Sequence, residues 1–259
     1  MDKRLQLLYF SATGTTAQIL KEMASGIGQI KKEYDITLPM NRQGELAFES
    51  DDLLIVGVPV YAGRVPEFLT DYFSKVKGNH TQAIFIVIYG NRDYDDALLE
   101  LKDTFEKNGF NGIAAGAFIG EHSYTTLVGT GRPDREDLKI AKKFGVDIKT
   151  KLSNGDTQIM KVVVKGQYPY KEKVARPLMA PVTNDNCVMC GLCARHCPVG
   201  AIHFSDYKEV DATMCIKCCR CIKSCPADAK AINHPAFKEI KQFLIDKFGN
   251  IRHEPEVFM

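Results

Sequence analysis

Residues 187–198 read Cys-Val-Met-Cys-Gly-Leu-Cys-Ala-Arg-His-Cys-Pro, and residues 215–226 read Cys-Ile-Lys-Cys-Cys-Arg-Cys-Ile-Lys-Ser-Cys-Pro. Each run has the spacing C-x2-C-x2-C-x3-C-P. It uses Cys187, Cys190, Cys193 and Cys197, then Cys215, Cys218, Cys221 and Cys225. Thiolates are soft donors that suit iron–sulfur clusters and also zinc. Structural zinc sites typically take two separated ligand pairs. Three cysteines in one tight loop, with a fourth before proline, instead let a loop wrap three corners of a cube. The pattern points to two [4Fe–4S] clusters ahead of zinc or disulfides. Metal rather than a large apolar core would then hold so small a unit together.

The two runs are also an internal repeat, which implies two short halves related by a pseudo-twofold axis. Residues 183–234 resemble bacterial-type two-cluster ferredoxins. In such ferredoxins the last cysteine of each run ligates the other cluster. The resemblance therefore implies Cys187, Cys190, Cys193 and Cys225 for one cluster, and Cys197, Cys215, Cys218 and Cys221 for the other. The ninth cysteine, Cys219, falls where the first repeat has Gly191; it reads as a packing neighbour, with ligand exchange as the alternative. His196, inside the x3 gap, reads as a surface or supporting residue.

A chain of 259 residues holds one large domain or two ordinary ones. Its net charge of +2, with mixed signs, gives no nucleic-acid footprint. The longest apolar run, near residues 83–89, is too short to cross a membrane. The N-terminus lacks the pattern of a signal peptide. Together with cysteines spaced for clusters, this is expected of a cytoplasmic protein.

Residues 1–155 alternate between strand and helix patterns. Strands are expected at 5–10, 35–38, 53–58, 83–89 and 113–119, the third being solidly apolar as buried parallel strands are. Helices are expected from Ile19 to beyond Met23, and at 66–76, 94–107 and 134–152. Five alternating strands make an α/β doubly wound parallel sheet, with ligands outside the carboxyl ends of its strands.

Those ends carry the candidate site. After the first strand, Ser11, Thr13, Gly14, Thr15 and Thr16 form a hydroxyl-rich loop before a helix. It can bind phosphate at the helix N-terminus, or simply cap the helix. After the third strand come Pro59, Val60, Tyr61, Ala62, Gly63 and Arg64. After the fourth come Tyr89, Gly90, Asn91, Arg92, Asp93 and Tyr94. Tyrosines flanking a slot suit a flat aromatic ring whose edge the backbone can read. A P-loop is absent, and Gly129-Thr130-Gly131 is no dinucleotide fingerprint.

Residues 3–152 resemble flavodoxins on these three loops, and the whole chain looks like a flavodoxin–ferredoxin fusion protein. The fold then expected is a flavodoxin-like doubly wound five-stranded parallel sheet plus a small α+β two-cluster ferredoxin-like domain. The resemblance implies FMN, with its phosphate on residues 11–16. Residues 61–65 would line one side of the ring, Tyr94 would stack on it, and the Gly63 peptide would bond flavin N5 after one-electron reduction. Arg64 and Arg92 depart from the acidic surroundings usual in flavodoxins; a positive charge near N1 would favour the anionic reduced flavin.

The domains expected are 1–155 for FMN, 156–182 as a basic, proline-broken connector, 183–234 for the clusters, and 235–259 as a C-terminal helix and tail. Within 160–164 a short strand is expected. The connector reads as a linker, a strap, or a docking strip of Lys161, Lys165, Lys171, Lys173 and Arg176 for an acidic partner.

The function expected is electron transfer between the clusters and FMN, with a protein redox partner. Two alternatives stand beside it. One is a carrier subunit of a larger redox complex. The other is a flavin-site reductase of a quinone or nitro compound, with Tyr61, His122 and Tyr124 as candidate proton donors; His122 reads first as a satisfied loop histidine. The sequence also permits a homodimer.

Overall fold

The computed structural model describes residues 3–154, 161–172 and 177–259. In its first part, β1 (Arg4–Tyr9), α1 (Thr15–Ile27), β2 (Ile30–Asp35), β3 (Leu46–Phe48) and β4 (Asp52–Pro59) lead to α2 (Thr70–Phe73), β5 (Val76–Gly78) and β6 (Thr81–Tyr89). Then come α3 (Ala97–Lys107), β7 (Phe110–Ile119) and α4 (Arg135–Ser153). The rest holds β8 (Val182–Thr183), α5 (Leu192–Arg195), α6 (Arg220–Lys223), β9 (Lys230–Ala231), α7 (Pro235–Phe248) and β10 (Glu256–Phe258).

The main sheet has the order β10-β7-β6-β4-β1-β2. Counting only its parallel strands, the order is 2-1-3-4-5, the doubly wound arrangement whose switch point lies between the first and third. Alternation along β6 shows why both faces are covered. Ile84, Ile86 and Ile88 join the core under α1 and α4. Ala83, Phe85, Val87 and Tyr89 join the opposite core with Leu98, Leu101 and Phe105 of α3. Successive strand residues point to opposite faces, so a run apolar at every position needs a helix layer on each side. The α1 and α4 layer is unusually close. A Cβ on Gly145 would stand 2.1 Å from the Met23 carbonyl oxygen, and one on Gly26 would stand 2.3 Å from that of Lys142.

Several local expectations shift. The second strand lies at 30–35, not 35–38; Thr37 sits in a turn whose N–H donates to Asp35 Oδ1 at 2.9 Å. The helix expected over 66–76 is one 3-10 turn followed by α2, because Val76 enters a parallel pair with Leu46. Residues 161–164 form no strand, although Val162 is buried in the core; Met160 lies outside the described residues. The C-terminus adds a sixth strand, β10, antiparallel to β7.

The described connector residues are a strap. Asp96, at the start of α3, accepts the backbone N–H of Gln167 at 2.8 Å and of Lys171 at 2.6 Å. Tyr170 donates to Asp103 at 2.8 Å. Lys165 pairs with Glu256, and Lys171 lies 3.4 Å from Asp95. These two lysines are thus engaged within the chain, while Lys173 and Arg176 fall outside the described residues.

The cysteine unit repeats itself bond for bond. Ala201 N–H donates to Cys197 Sγ at 3.2 Å, and Ala229 N–H to Cys225 Sγ at 3.3 Å. Gly191 and Cys219 occupy matching left-handed positions at φ 71° and 59°, each starting a short helix. Cys219 is buried in a cluster with Met179, Ile232 and Phe237.

Candidate functional site

A cleft of about 460 Å³ opens at the switch point, over the carboxyl ends of β1, β4, β6 and β7. Ala12, Thr13, Thr15 and Thr16 bring the hydroxyl-rich loop to it; Pro59, Val60, Tyr61, Ala62 and Gly63 form a second wall, and Tyr89, Gly90, Arg92 and Asp93 a third. Gly120, Glu121, His122, Ser123 and Tyr124 follow β7 into the same space. Two further walls come from outside the sheet. Ile216, Lys217 and Cys218 reach in from the second cysteine run, and Ile240, Phe243 and Leu244 from α7.

The loop before α1 is held open by its own bonds. Ser11 Oγ accepts the Ala17 N–H at 3.1 Å, and Ser11 N–H donates to Thr37 Oγ1 at 2.9 Å. Gly14 takes φ 92°, and a Cβ there would meet nothing within 4 Å, so the backbone before the helix is approachable. Gly14, the residue before α1, has no side chain to cap it. With the Ala17 N–H taken by Ser11, the Thr15 and Thr16 N–H groups have no partner among the described residues and stand beside hydroxyls, which fits a phosphate.

The second loop is tightly turned. Tyr61 and Arg64 exchange backbone bonds of 2.9 and 3.2 Å. Gly63, at φ 82°, leaves no room for a side chain because a Cβ would stand 2.1 Å from Asp95 Oδ2. Its carbonyl accepts the Asp96 N–H at 3.1 Å. Burial, with Cys218, Tyr124 and Cys219 as neighbours, pushes the Tyr61 phenol well above its ordinary range. Tyr61 is thus a neutral, flat wall at any physiological pH.

Some sequence-selected residues serve elsewhere. Arg64 turns away from the cleft; it pairs with Glu100 at 2.7 Å, donates to the Lys171 carbonyl and stacks over Tyr170. Arg92 does line the cleft but pairs with Asp95. Neither places an unneutralised charge beside a ring. Tyr94 does not line the cleft. It is buried in the core beside Tyr89, with its hydroxyl 3.1 Å from Glu256. Asn91 is fully buried at φ 59°, and its amide bonds the Phe248 and Ile251 carbonyls. It pins the C-terminal segment rather than facing the cleft.

His122 is placed by Gly90, whose missing Cβ would stand 2.5 Å from the imidazole. The Tyr124 N–H donates to His122 Nδ1 at 3.1 Å, so the neutral ring carries its proton on Nε2. The Tyr124 ring continues to Phe237 of α7 at 4.6 Å between centroids.

The eight thiols ring two small cavities. One is lined by Cys187, Cys190, Cys193 and Cys225, the other by Cys197, Cys215, Cys218, Cys219 and Cys221. Each therefore includes the last cysteine of the opposite run. Among the described residues no group of His, Cys, Asp or Glu side chains closes on a point fit for a single metal ion. Spread donors with backbone N–H groups aimed at sulfur fit a cluster whose charge needs hydrogen bonds.

The second-run cavity is joined to the cleft. Ile216, Lys217 and Cys218 line both. Polar bonds fix the junction. Arg220, between Cys218 and Cys221, donates to the Ala12 carbonyl, and its Nε is buried with no partner among the described residues. Lys223 pairs with Glu121 at 2.9 Å. Arg42 donates to the Pro198 carbonyl, next to Cys197, at 2.6 Å. No sequence signal identified these contacts, because each joins segments remote along the chain; the apolar face of the C-terminal helix, expected as a brace against the cluster unit or the sheet, also walls the cleft through Ile240, Phe243 and Leu244.

Residues 6–129 match the family model of a flavodoxin domain, and residues 180–203 match that of a 4Fe-4S binding domain. A search of curated proteins found no significant match. Among solved structures, a flavodoxin from the domain Archaea is 15% identical with a TM-score of 0.41, covering 58% of this chain and 99% of its own. Flavodoxin from Streptococcus pneumonia TIGR4 is 14% identical at a TM-score of 0.40, covering 57% and 98%. The Flv1 flavodiiron core from Synechocystis sp. PCC6803 is 16% identical at 0.41, covering 60% of this chain and 37% of that one. These likenesses are too distant to carry an argument; the family models carry it.

Proposed function

We propose that this chain, which joins a flavodoxin domain to a 4Fe-4S binding domain, passes electrons between two [4Fe–4S] clusters and FMN bound in the cleft. Clusters move electrons singly and a flavin stores one or two, so the pair would link one-electron carriers to a two-electron store. The observation that carries this reading is the shared wall: Ile216, Lys217 and Cys218 border the flavin cleft and the second-run cavity at once.

The chain's own residues supply position and shielding. Thr13, Thr15, Thr16 and the approachable Gly14 backbone hold the phosphate end. Tyr61 and the Gly63 turn fix one face of the ring. Ile240, Phe243 and Leu244 of α7 exclude water from its outer side. Cys187, Cys190, Cys193 and Cys225 hold one cluster; Cys197, Cys215, Cys218 and Cys221 hold the other. The first-run cluster faces outward, where Cys190 and its neighbours Val188 and Met189 are exposed. A protein redox partner would exchange electrons there. Thiolate ligands need reduced cysteines, which agrees with a cytoplasmic setting.

A second reading rests on His122 and Tyr124, which both line the cleft. A small electrophile reaching the flavin would find proton donors there. Steady-state turnover of quinones or nitro compounds by the isolated protein, lost in His122→Ala, would favour it.

The primary test is composition. Protein purified without oxygen should contain iron, inorganic sulfide and FMN in the proportions of two four-iron clusters and one flavin per chain. Zinc in place of iron, or no flavin, would refute the reading.

A further inference from the structure

Of the charged side chains lining the cleft, Arg92 and Glu121 are ion-paired, and Asp93 accepts the Asp95 N–H at 3.0 Å. Arg64 is paired with Glu100 and turned outward, and Arg92 is paired with Asp95. Glu121, in the fourth loop, is paired with Lys223. Lys217 is different. It lines the cleft, it lines the second-run cavity, and it makes no ion pair among the described residues. Its backbone takes φ 57°, a left-handed conformation costly for lysine. The position is set by the cysteine spacing, since Lys217 lies between Cys215 and Cys218. Met189 holds the matching place in the first run, also left-handed, at φ 54°. One repeat therefore presents an exposed thioether to solvent, and the other places a lysine in the wall of the cleft.

We infer that Lys217 is a flavin-binding residue supplied by the cluster unit, whose ammonium favours the reduced over the oxidised flavin. The inference rests on the FMN reading above. Full reduction adds two electrons, delivered singly through the clusters from a one-electron reductant, and one proton from solvent. The product carries a negative charge on its ring that the oxidised ring lacks. A fixed cation beside it binds the reduced form more tightly and raises the potential. The same ammonium borders the second-run cavity, so an electron resting on either side meets it.

The test uses full-length protein purified without oxygen, with the affinity for oxidised FMN read by fluorescence quenching and the two-electron midpoint by dye-linked titration. Lys217→Gln should change affinity for oxidised FMN by no more than about threefold. It should weaken the reduced form about tenfold, which is ~30 mV for a two-electron couple. Lys217→Arg should restore the midpoint. Lys217→Asn, which suits left-handed backbone better, should repeat the shift and covers failure of the glutamine variant to fold. An unchanged midpoint in the neutral variants would overturn the assignment, and so would equal weakening of both flavin states, which marks a merely structural role. Wild-type protein that binds no FMN would instead strike the reading of the cleft itself.

Discussion

Arg220 donates a hydrogen bond to the carbonyl of Ala12, across 208 residues of sequence. One partner stands between Cys218 and Cys221, and the other lies in the hydroxyl-rich loop at the cleft. The second cysteine run and the cleft are thus neighbours in one built junction.

With the cofactors placed as proposed, that junction should make FMN affinity depend on the second cysteine run. Cys215→Ala would then remove a ligand from the cluster whose loop carries Lys217, Arg220 and Lys223, and Cys187→Ala one from the other cluster. Coupling between sites typically falls between about five- and 150-fold. Fluorescence titration should show FMN binding weakened within that range by Cys215→Ala and little changed by Cys187→Ala. Equal effects would deny that the second run is the flavin's neighbour.

The ion pair of Arg132 and Asp137 is almost wholly buried, and Arg132 also donates to the His253 carbonyl at 3.0 Å. Removing one member leaves the other charge uncompensated. Asp137→Ala should cost about 3–5 kcal/mol, read as a shifted denaturant midpoint. The same change should speed amide exchange in β10, because the tail loses its anchor.

Asp134 caps α4, accepting the Glu136 and Asp137 N–H groups. The hydrogen bond from Arg252 leads the causes that hold its carboxyl down to about 2, followed by the two backbone N–H groups it caps. A carboxyl depressed on folding stabilises the fold above its unfolded value, about 3.9. That contribution disappears as pH falls from about 4 through 2. The side chain is a third exposed, so screening limits the effect to about 1 kcal/mol. Arg252→Ala should raise the Asp134 pKa, followed by carboxyl NMR, and flatten the loss of stability over that interval.

Gly145→Ala should destabilise the sheet domain by about 1–3 kcal/mol, although alanine is the better helix former. The added methyl would meet the Met23 backbone, which cannot swing aside as a side chain can. A variant as stable as wild type in chemical denaturation would show that α1 and α4 are less closely packed.

What the sequence made legible was periodic or spaced. Cysteine intervals announced the cluster unit, and unbroken apolar runs such as 83–89 announced buried parallel strands. Hydroxyls and glycine before α1 marked a loop that does line the cleft. What it hid depended on partners far away. Arg64 looked like a flavin neighbour until Glu100 and Tyr170 claimed it, and Tyr94 looked like a stacking ring until the core and Glu256 did. β10 is three residues long and has no pattern of its own; pairing with β7 alone makes it a strand. Lys217 drew no attention because its meaning comes from a wall it shares, not from its neighbours in sequence.

The central claim is that electrons cross between clusters and flavin within one chain. Rapid mixing of oxygen-free protein with a limiting one-electron reductant follows both absorbances at once. The account predicts that cluster reoxidation and flavin reduction share one first-order rate, unchanged on dilution. Independent rates, or a flavin phase that slows in proportion to dilution, would contradict it.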